Sequence, residues 1–312
     1  MRPVRTAVAG TVLATLVLAG CGQTQSASAP SPTPSSAPAT GSFPVTVEAA
    51  NGKVTVARRP ERIVSLSPTS TEILFAVGAG SQVVAADELS NFPPEAPKSE
   101  LSGFKPNVEA IIAKKPDLVV ASDDKVVAEL TKLNVPVLVE SAAVKVEDTY
   151  DQITDLGAAT GNLAKAEEVA SGIKTELDRL AAAAPKDKKL TYFHELDQTP
   201  FSATSNTFVG QIYAMFGLTN IADKAPDAAS GYPKLSPEYV AKADPDLIFL
   251  ADVKCCQQSK DTLAKRPGWK NLKAIRDDQV IELDDDIASR WGPRIVDLAR
   301  TIGAAVDKVA AK

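Results

Sequence analysis

Short β-branched runs alternate with helix-type segments in two separate blocks of this chain, and this alternation restricts the fold more than any other feature. The first block extends from a strand at 62–66 to a strand at 135–139. The second extends from a strand at 190–195 to one at 280–283. Because consecutive parallel strands need crossover connections, which are usually helices, we predict an α/β protein of two lobes with mainly parallel sheets.

A hairpin is expected before the first block. Residues 44–57 alternate between apolar and polar side chains on both sides of Asn51-Gly52, a dipeptide typical of two-residue hairpin turns. The segment therefore predicts two antiparallel strands.

The two blocks are separated by residues 146–184, which contain no proline. Their apolar positions, among them Ile153, Leu156, Ile173 and Leu177, follow a helical period. We predict a long rigid helix that joins the lobes, with Gly157 and Gly161 able to break or bend it. A solvated surface helix within one domain is the alternative. The predicted domains are an N-terminal lobe at 43–145, the connecting helix at 146–184 and a C-terminal lobe at 185–312.

The N-terminus has the features of a signal peptide. Arg2 and Arg5 precede an apolar run over 6–20, which is shorter than the roughly twenty residues that span a bilayer. Residues 18–21, Leu-Ala-Gly-Cys, resemble the bacterial lipobox, which implies a signal peptide at 1–20 and acyl chains on Cys21. Residues 21–42 are mostly Gly, Ser, Thr, Ala, Gln and Pro, a composition typical of a flexible tether. We expect a lipid-anchored protein on the outer face of the cytoplasmic membrane; the alternative is a secretory signal with an incidental Cys21.

Charge and composition restrict the function classes. The chain is 44% hydrophobic and 23% charged, which is ordinary for a globular protein. Loss of Arg2 and Arg5 with the signal peptide changes the formal net charge from −5 to −7, which argues against nucleic-acid binding.

An internal repeat links the two blocks. Residues 107–120 align with residues 236–249, and Glu, Pro, Asp and Leu recur at an offset of 129. Each copy predicts a short helix with a glutamate, Glu109 or Glu238, in its first turn, where the helix dipole favours a negative charge. Helix-end electrostatics explains one such residue, whereas the same position in both blocks indicates a pair that is used together.

Several motifs resemble one family of proteins. Residues 62–78 with their Ser-Pro and Thr-Glu pairs, Asn91-Phe-Pro-Pro at 91–94 and the Glu109 segment are similar to substrate-binding proteins of cobalamin and ferric-siderophore ABC importers, and most of all to the cobalamin branch. The resemblance covers about 60–309. It implies two lobes joined by a long helix, a ligand in the cleft between them, and docking of Glu109 and Glu238 on arginines of a permease dimer. The expected partners are a corrinoid or iron-chelate small molecule and the permease; the receptor itself is expected to be a monomer without a cofactor.

Loops that follow the strands are where the ligand contacts of such a cleft are expected. Ser67 lies in the first of these loops. Aromatic residues are scarce in this chain, at 5%, yet five of them fall in or beside these loops: Phe92, Phe104, Phe201, Tyr232 and Trp291. We interpret them as contacts for a large flat ligand, with packing against their own lobes as the alternative. By resemblance, Phe104 and Tyr232 occupy positions where cobalamin receptors carry tryptophan.

The densest polar cluster lies at 284–294. Three acids are followed by two arginines around Trp291, and we interpret Asp286, Arg290 and Arg294 as ligand contacts. A calcium loop and an internal Asp–Arg network are the alternatives. Glu72 is interpreted as a simple helix charge.

Cys255 and Cys256 are adjacent, and His194 and Glu195 lie in a strand of the same block. In an oxidising compartment the two thiols favour a disulfide between neighbours; free thiols and a soft metal site are the alternatives.

The sequence contains no nucleophile elbow, P-loop or dinucleotide fingerprint, so we favour binding without turnover over an enzyme, including a metal-dependent one, and over an adhesin. The ligand stays open among a corrinoid, haem and a ferric siderophore.

Overall fold

The β-branched runs form the strands, and the segments between them form the helices, of a computed structural model that describes residues 41–311. The strands are β1 Val45–Ala49, β2 Gly52–Val56, β3 Ile63–Ser65, β4 Val83–Ala86, β5 Leu118–Ala121, β6 Val137–Val139, β7 Thr191–Glu195, β8 Thr219–Asn220, β9 Leu247–Leu250 and β10 Val280–Glu282. The α-helices are α1 Pro68–Ala76, α2 Val108–Ala113, α3 Val127–Lys132, α4 Val146–Thr160, α5 Leu163–Ala183, α6 Phe208–Met215, α7 Pro237–Ala243, α8 Val253–Cys256, α9 Lys260–Ala264, α10 Lys273–Arg276, α11 Asp285–Ala288 and α12 Ile295–Ala310.

The expected hairpin is present. Strands β1 and β2 pair antiparallel, and Gly52, with φ +92°, begins the second strand. Asn51 in the turn fastens the hairpin to β6, because its side chain donates to Val137 O and accepts from Val139 N.

Two four-stranded sheets are formed by the described residues. The first has the order β4-β3-β5-β6 and the second β10-β9-β7-β8, and every pairing within them is parallel. We call the first sheet with its flanking helices the N-terminal lobe and the second the C-terminal lobe. The predicted fold class, an α/β protein of two lobes with mainly parallel sheets, is confirmed.

The connection between the lobes is helical but consists of two helices. Helix α4 ends at Thr160, and Gly161 follows in the left-handed conformation at φ +75°. At Gly157 a Cβ would lie 2.1 Å from the Cβ of Ala166, so the absence of a side chain lets α4 and α5 pack directly on each other. The connecting helix of 146–184 is therefore divided at Gly161, one of the two glycines at which a break or bend was expected, because glycine adopts the left-handed conformation without a steric penalty.

This helix pair lies in a core that both sheets share. One face of the first sheet (Ile63, Leu118, Val120) and one face of the second (Tyr192, Leu247, Phe249) belong to the same apolar cluster, together with residues of α4, α5 and α12. The opposite faces pack in separate clusters against α2 and α3 or against α7, α9 and α10. Two-sided burial explains why the strands are continuous apolar runs. Within 41–311, no helix is long and apolar enough to cross a membrane.

Candidate functional site

A cavity of about 350 Å³ lies where the loops after the strands of the two sheets meet. The N-terminal lobe contributes Ser67, Pro68, Thr69, Glu88, Leu89, Asn91 and Ser122, and the C-terminal lobe contributes Asp286, Ser289, Arg290 and Trp291. We call it the interlobe cavity. Its position follows from the topology, because parallel strands bring their carboxyl ends and the loops after them to one edge of each sheet.

The N-terminal wall of the interlobe cavity is held by buried hydroxyl groups. Ser67 caps α1 by accepting from Ser70 N, and Thr71 donates to Ser65 Oγ and Ser67 O, at 2.9 and 3.0 Å. Ser90, which is also buried, bonds to both Thr71 and Asp87. Burial raises the pKa of Asp87. The side chains of this wall therefore form one connected polar network.

Glu72 joins the two lobes beneath this wall. Its side chain is only 1% exposed, and its Oε1 accepts from Arg290 Nη1 at 2.8 Å and from Arg294 Nη2 at 2.6 Å. Its Oε2 accepts from Arg294 Nε at 2.9 Å. The interpretation of Glu72 as a simple helix charge is wrong, because α1 faces the other lobe at this position. Loss of one partner from such a buried pair typically costs about 3–5 kcal/mol.

Arg290 is enclosed by four acceptors. Besides Glu72, its terminal nitrogens donate to Asn91 Oδ1 at 2.9 Å, Leu89 O at 3.0 Å and Asp286 Oδ1 at 2.7 Å. Asn91 also donates to Asp286 Oδ2 at 2.9 Å. These contacts form the internal Asp–Arg network that was the alternative interpretation of 284–294, and Asp286 and Arg290 line the interlobe cavity at the same time.

Trp291 is fastened to the connecting helix. Its indole Nε1 donates to Gln152 Oε1 at 3.0 Å, and its carbonyl oxygen accepts from Thr149 Oγ1 at 2.8 Å. Of the predicted ligand contacts, the structure thus brings four to the interlobe cavity: Ser67, Asp286, Arg290 and Trp291.

The other predicted contacts lie elsewhere. The ring of Phe92 is 4.3 Å from the Arg294 guanidinium, and both line a separate cavity of about 230 Å³ beside Glu72 and Pro293. The guanidinium of Arg294 pairs with Glu72 across the lobe boundary. Phe92 and Arg294 therefore lie outside the interlobe cavity.

Phe104 and Tyr232 are exposed aromatic residues on opposite lobes, at 74% and 54%. Tyr232 lines a second cavity between the lobes, of about 330 Å³, together with Val144 and Phe208. Phe104 is 5.1 Å from Lys125 Nζ. Phe201 pairs with Lys234 in an isolated β-bridge and lies 5.7 Å below its ammonium group, so it packs within its own lobe.

Leu89 and Asn91 line the interlobe cavity but are not among the predicted ligand contacts. Asn91 begins the Asn-Phe-Pro-Pro motif of the family resemblance, whereas neither the type nor the spacing of Leu89 distinguishes it from its neighbours. For Glu72 a usable indication existed, because a charged side chain falls in a helix whose other positions are mostly apolar or hydroxyl-bearing.

The disulfide candidates lie at the edge of this site. Cys255 and Cys256 form a disulfide contact in α8, and the Asp285 carboxylate accepts from Lys254 N and Cys255 N. Lys254 Nζ contacts Asp284 and Asp286 at 2.8 and 2.9 Å. The cysteine turn is therefore tied to the polar cluster that reaches the interlobe cavity.

The side chains of His194 and Glu195 have separate partners, and neither partner is a cysteine. His194 is fully buried and shares a hydrogen bond of 2.9 Å with Tyr213 OH, and burial lowers its pKa to about 4. Glu195 forms a bidentate pair with Arg266, at 2.6 Å on each side. No cluster of three or more histidine, cysteine or acidic ligands that could hold a metal occurs in the described part of the chain. The soft-metal alternative gains no support from this geometry.

Two carboxyl groups are buried directly after strands, one in each lobe. Asp252, after β9, has no donor to either oxygen among residues 41–311; burial and then the Glu195 charge raise its pKa to about 7. Glu140, after β6, has its pKa raised to about 8 by burial and by Asp155. Both groups hold a proton well above the usual range of a carboxyl.

Glu109 and Glu238 occupy equivalent places. Each is exposed in the first turn of a short helix, and the N-caps Asn107 and Ser236 accept from the N–H three residues later. Cys21 lies outside the described residues.

Comparison with known proteins places this geometry in a family. The family described as periplasmic binding protein matches residues 63–287. The chain is 31% identical to an uncharacterised ABC transporter substrate-binding lipoprotein of Bacillus subtilis, YvrC, over 93% of this chain and 92% of the relative. It is 29% identical to a vitamin B12-binding protein of Vibrio parahaemolyticus, over 77% and 88%.

Solved structures agree with the sequence relatives. The B12-binding protein BtuF of Vibrio cholerae superposes with a TM-score of 0.65 at 26% identity, covering 81% of this chain and 98% of that one. The haem-binding protein RhuT from Roseiflexus sp. RS-1 superposes with a TM-score of 0.68 at 27% identity, covering 79% and 99%. With the family match over 63–287 and a relative 31% identical along nearly its whole length, the chain belongs to the periplasmic binding protein family.

Proposed function

We propose that this protein is a lipid-anchored receptor that binds a corrinoid between its two lobes and delivers it to an ABC permease. Binding, rather than catalysis, is what its relatives are named for. The anchor would be the acylated Cys21. Residues 21–42 would be the tether between the outer face of the cytoplasmic membrane and the two lobes. The lipobox-like sequence and the lipoprotein relative support this arrangement.

The choice of ligand depends on one observation: the interlobe cavity is lined by two carboxylates and by a guanidinium that is already paired. Its lining has two carboxylates, Glu88 and Asp286, and one guanidinium, Arg290, whose terminal N–H groups already have four acceptors. The remaining polar groups are hydroxyls of serine and threonine and the amide of Asn91. Such a lining suits neutral amides, which both donate and accept hydrogen bonds. Corrinoids carry amides around the ring, whereas haem carries two propionates that need cationic partners.

The exposed aromatic residues support a large flat ligand. Phe104 and Tyr232 present faces to solvent from opposite lobes. Burial of a large aromatic side chain contributes about 1.5–3 kcal/mol, so a macrocycle that covers both faces would gain affinity from each lobe. Phenylalanine and tyrosine offer smaller faces than tryptophan, which predicts weaker binding than in a receptor with two tryptophans.

Delivery would use Glu109 and Glu238. Both carboxylates are exposed at the start of equivalent helices, and two rigidly spaced charges can orient the receptor on a two-fold permease with arginines at its surface. We propose a monomer, since the permease dimer then meets one carboxylate from each lobe.

The test is ligand titration of the unacylated protein, Cys21→Ser. Trp291 lines the interlobe cavity and the other tryptophan, Trp269, is fully buried in the C-terminal lobe, so Trp291 is the reporter of ligand entry. Cyanocobalamin should quench the fluorescence and raise the melting temperature, and Trp291→Phe should remove most of the quenching. A ligand at 100 times its Kd adds about 2.7 kcal/mol of stability. Absence of any effect of cyanocobalamin would contradict the corrinoid proposal.

Haem is the second candidate, because the hydroxyl group of Tyr232 belongs to a half-exposed side chain in the second interlobe cavity and tyrosine can ligate haem iron. Haemin that binds more tightly than cyanocobalamin, with a Soret shift abolished by Tyr232→Phe, would favour this function. A ferric hydroxamate completes the titration series and represents the siderophores.

A further inference from the structure

A largely buried cluster at the lobe boundary contains two acids and two arginines. Glu72 pairs with Arg290 and Arg294, and Asp286 pairs with Arg290. Lys254 also pairs with Asp286 and with Asp284, which adds one charge of each sign. The formal charges of this cluster therefore balance.

Only part of this cluster borders the interlobe cavity. Arg290 and Asp286 line it, whereas Glu72 and Arg294 line the neighbouring cavity of about 230 Å³ on the other side of the contact. Glu72 thus acts on the ligand site from behind, through Arg290. Glu88, an exposed acid, lines the interlobe cavity itself.

We propose that Glu72 is a positioning residue that determines ligand specificity: by neutralising and holding Arg290 from the opposite lobe, it prevents the guanidinium from binding carboxylates of a ligand. The inference rests on the proposed function in one respect, that the ligand enters the interlobe cavity. The cavity then selects amides over carboxylates on the same macrocycle.

The physical reason is competition for one guanidinium. An arginine whose terminal N–H groups are all paired has little to gain from a ligand carboxylate, which must first displace an acceptor and lose its own hydration. If the charge of Glu72 is removed, the cluster gains a net positive charge, and an anionic ligand can replace the lost partner. The variant should therefore gain affinity for anions, an effect that simple loss of structure does not produce.

The experiment compares two corrinoids that share a ring: dicyanocobinamide, whose ring substituents are amides, and dicyanocobyrinic acid, in which they are carboxylates. For the wild type we expect the amide form to bind at least about tenfold more tightly, the factor that one charge-assisted hydrogen bond provides. Glu72→Gln should reduce this ratio at least about tenfold, chiefly by tighter binding of the acid, and the gain should weaken with added salt.

Two further variants separate specificity from folding. Glu72→Gln/Arg294→Gln restores the charge balance and should return the ratio close to the wild-type value. Glu95→Gln removes an equal charge from an exposed residue of the neighbouring cavity, which neither lines the interlobe cavity nor bonds to Arg290, and should change the ratio less than about threefold, because exposed charges are screened by water. Circular dichroism and melting temperatures verify that each variant is folded.

If Glu72→Gln does not fold, Glu72→Gln/Arg290→Gln decides the question, because it keeps the charge balance of the cluster. A guanidinium withheld from the ligand can be removed with little change in the affinity for the acid, whereas an available one would cost at least about tenfold. An unchanged ratio in folded Glu72→Gln, a wild type that prefers the acid, or a large loss of affinity for the acid in Glu72→Gln/Arg290→Gln would each overturn the proposal.

A different result would show that the proposed function, and not the role of Glu72, is wrong. If neither corrinoid binds the wild type, the corrinoid assignment is wrong, and the same comparison is made with protoporphyrin IX and its dimethyl ester. Glu72→Gln should then favour the free acid over the ester relative to the wild type, and no such change would contradict the role of Glu72 itself.

Discussion

Replacing Asp252 by Asn tests whether a buried carboxyl in the C-terminal lobe is protonated at neutral pH. Asp252 is fully buried, and the neighbouring carboxylate of Glu195 is already paired with Arg266 at 2.6 Å on both oxygens. A protonated Asp252 can donate to Glu195 and carries no negative charge on its own oxygens, which have no donor among residues 41–311. Arg266 is shared with Gln258, at 2.8 Å, so it has little capacity for a second carboxylate.

The direction of the pH dependence follows from the two pKa values. Burial raises the pKa of Asp252 from 3.8 to about 7 in the folded protein, whereas the unfolded chain loses the proton near 3.8. Between these values the folded state binds more protons, so the free energy of unfolding falls as the pH rises. The contribution is fully present below about pH 4 and is lost by about pH 7.

The magnitude can be worked out for a practical interval. Between pH 5 and pH 7 the carboxyl group of Asp252 is protonated in the folded protein and ionised in the unfolded chain. Each of these two pH units lowers the free energy of unfolding by about 1.4 kcal/mol, so the wild type should lose about 2–3 kcal/mol from this residue. Asparagine does not ionise and can still donate to Glu195. Asp252→Asn should therefore match the wild type at pH 5 and exceed it by about 2–3 kcal/mol at pH 8.

The assay is thermal unfolding of both proteins at pH 5 and pH 8 without ligand, where this difference amounts to a shift in melting temperature on the order of 5 °C. Glu140, with a pKa of about 8, and Asp155, with a pKa of about 6, contribute equally to both proteins and cancel in the comparison. Asp261→Asn, an exposed change on α9, is the control for loss of one surface charge. The same difference between variant and wild type at both pH values would refute the reasoning.

The remaining predictions concern the anchor, the cysteine turn and the permease contact. Cys21→Ser should leave an unacylated precursor that no longer partitions into the detergent phase, and partitioning equal to wild type would disprove the lipid anchor. Mass spectrometry without reductant should show a loss of two hydrogens across Cys255 and Cys256, whereas complete alkylation of both under native conditions would show free thiols. Glu109→Gln/Glu238→Gln should change the free energy of unfolding by no more than about 0.5 kcal/mol and leave ligand affinity intact. Uptake by cells should fall further than in either single variant, and undiminished uptake would reduce both residues to helix-end charges.

Local patterns in the sequence were sufficient for the elements of this fold. Strands β7 and β10 lie within one residue of the strands expected at 190–195 and 280–283, and the hairpin turns at Asn51-Gly52. The exposed placement of Glu109 and Glu238 was equally predictable, since it depends on a first helical turn and a capping residue three positions before the bonded N–H. Periodicity and capping are properties of a few consecutive residues, so they can be recognised without the rest of the chain.

The partners of the charged residues were decided by the tertiary structure. Glu72 lies 218 residues before Arg290 and 222 before Arg294, and nothing within its own helix indicates that these are its partners. The pair with Glu72 holds Arg294 in the neighbouring cavity, where the ring of Phe92 packs against its guanidinium, and not in the interlobe cavity. The reason is physical: a sequence specifies which side chains can be paired, but burial in the folded protein selects the pair, because a buried charge is too costly to leave unpaired.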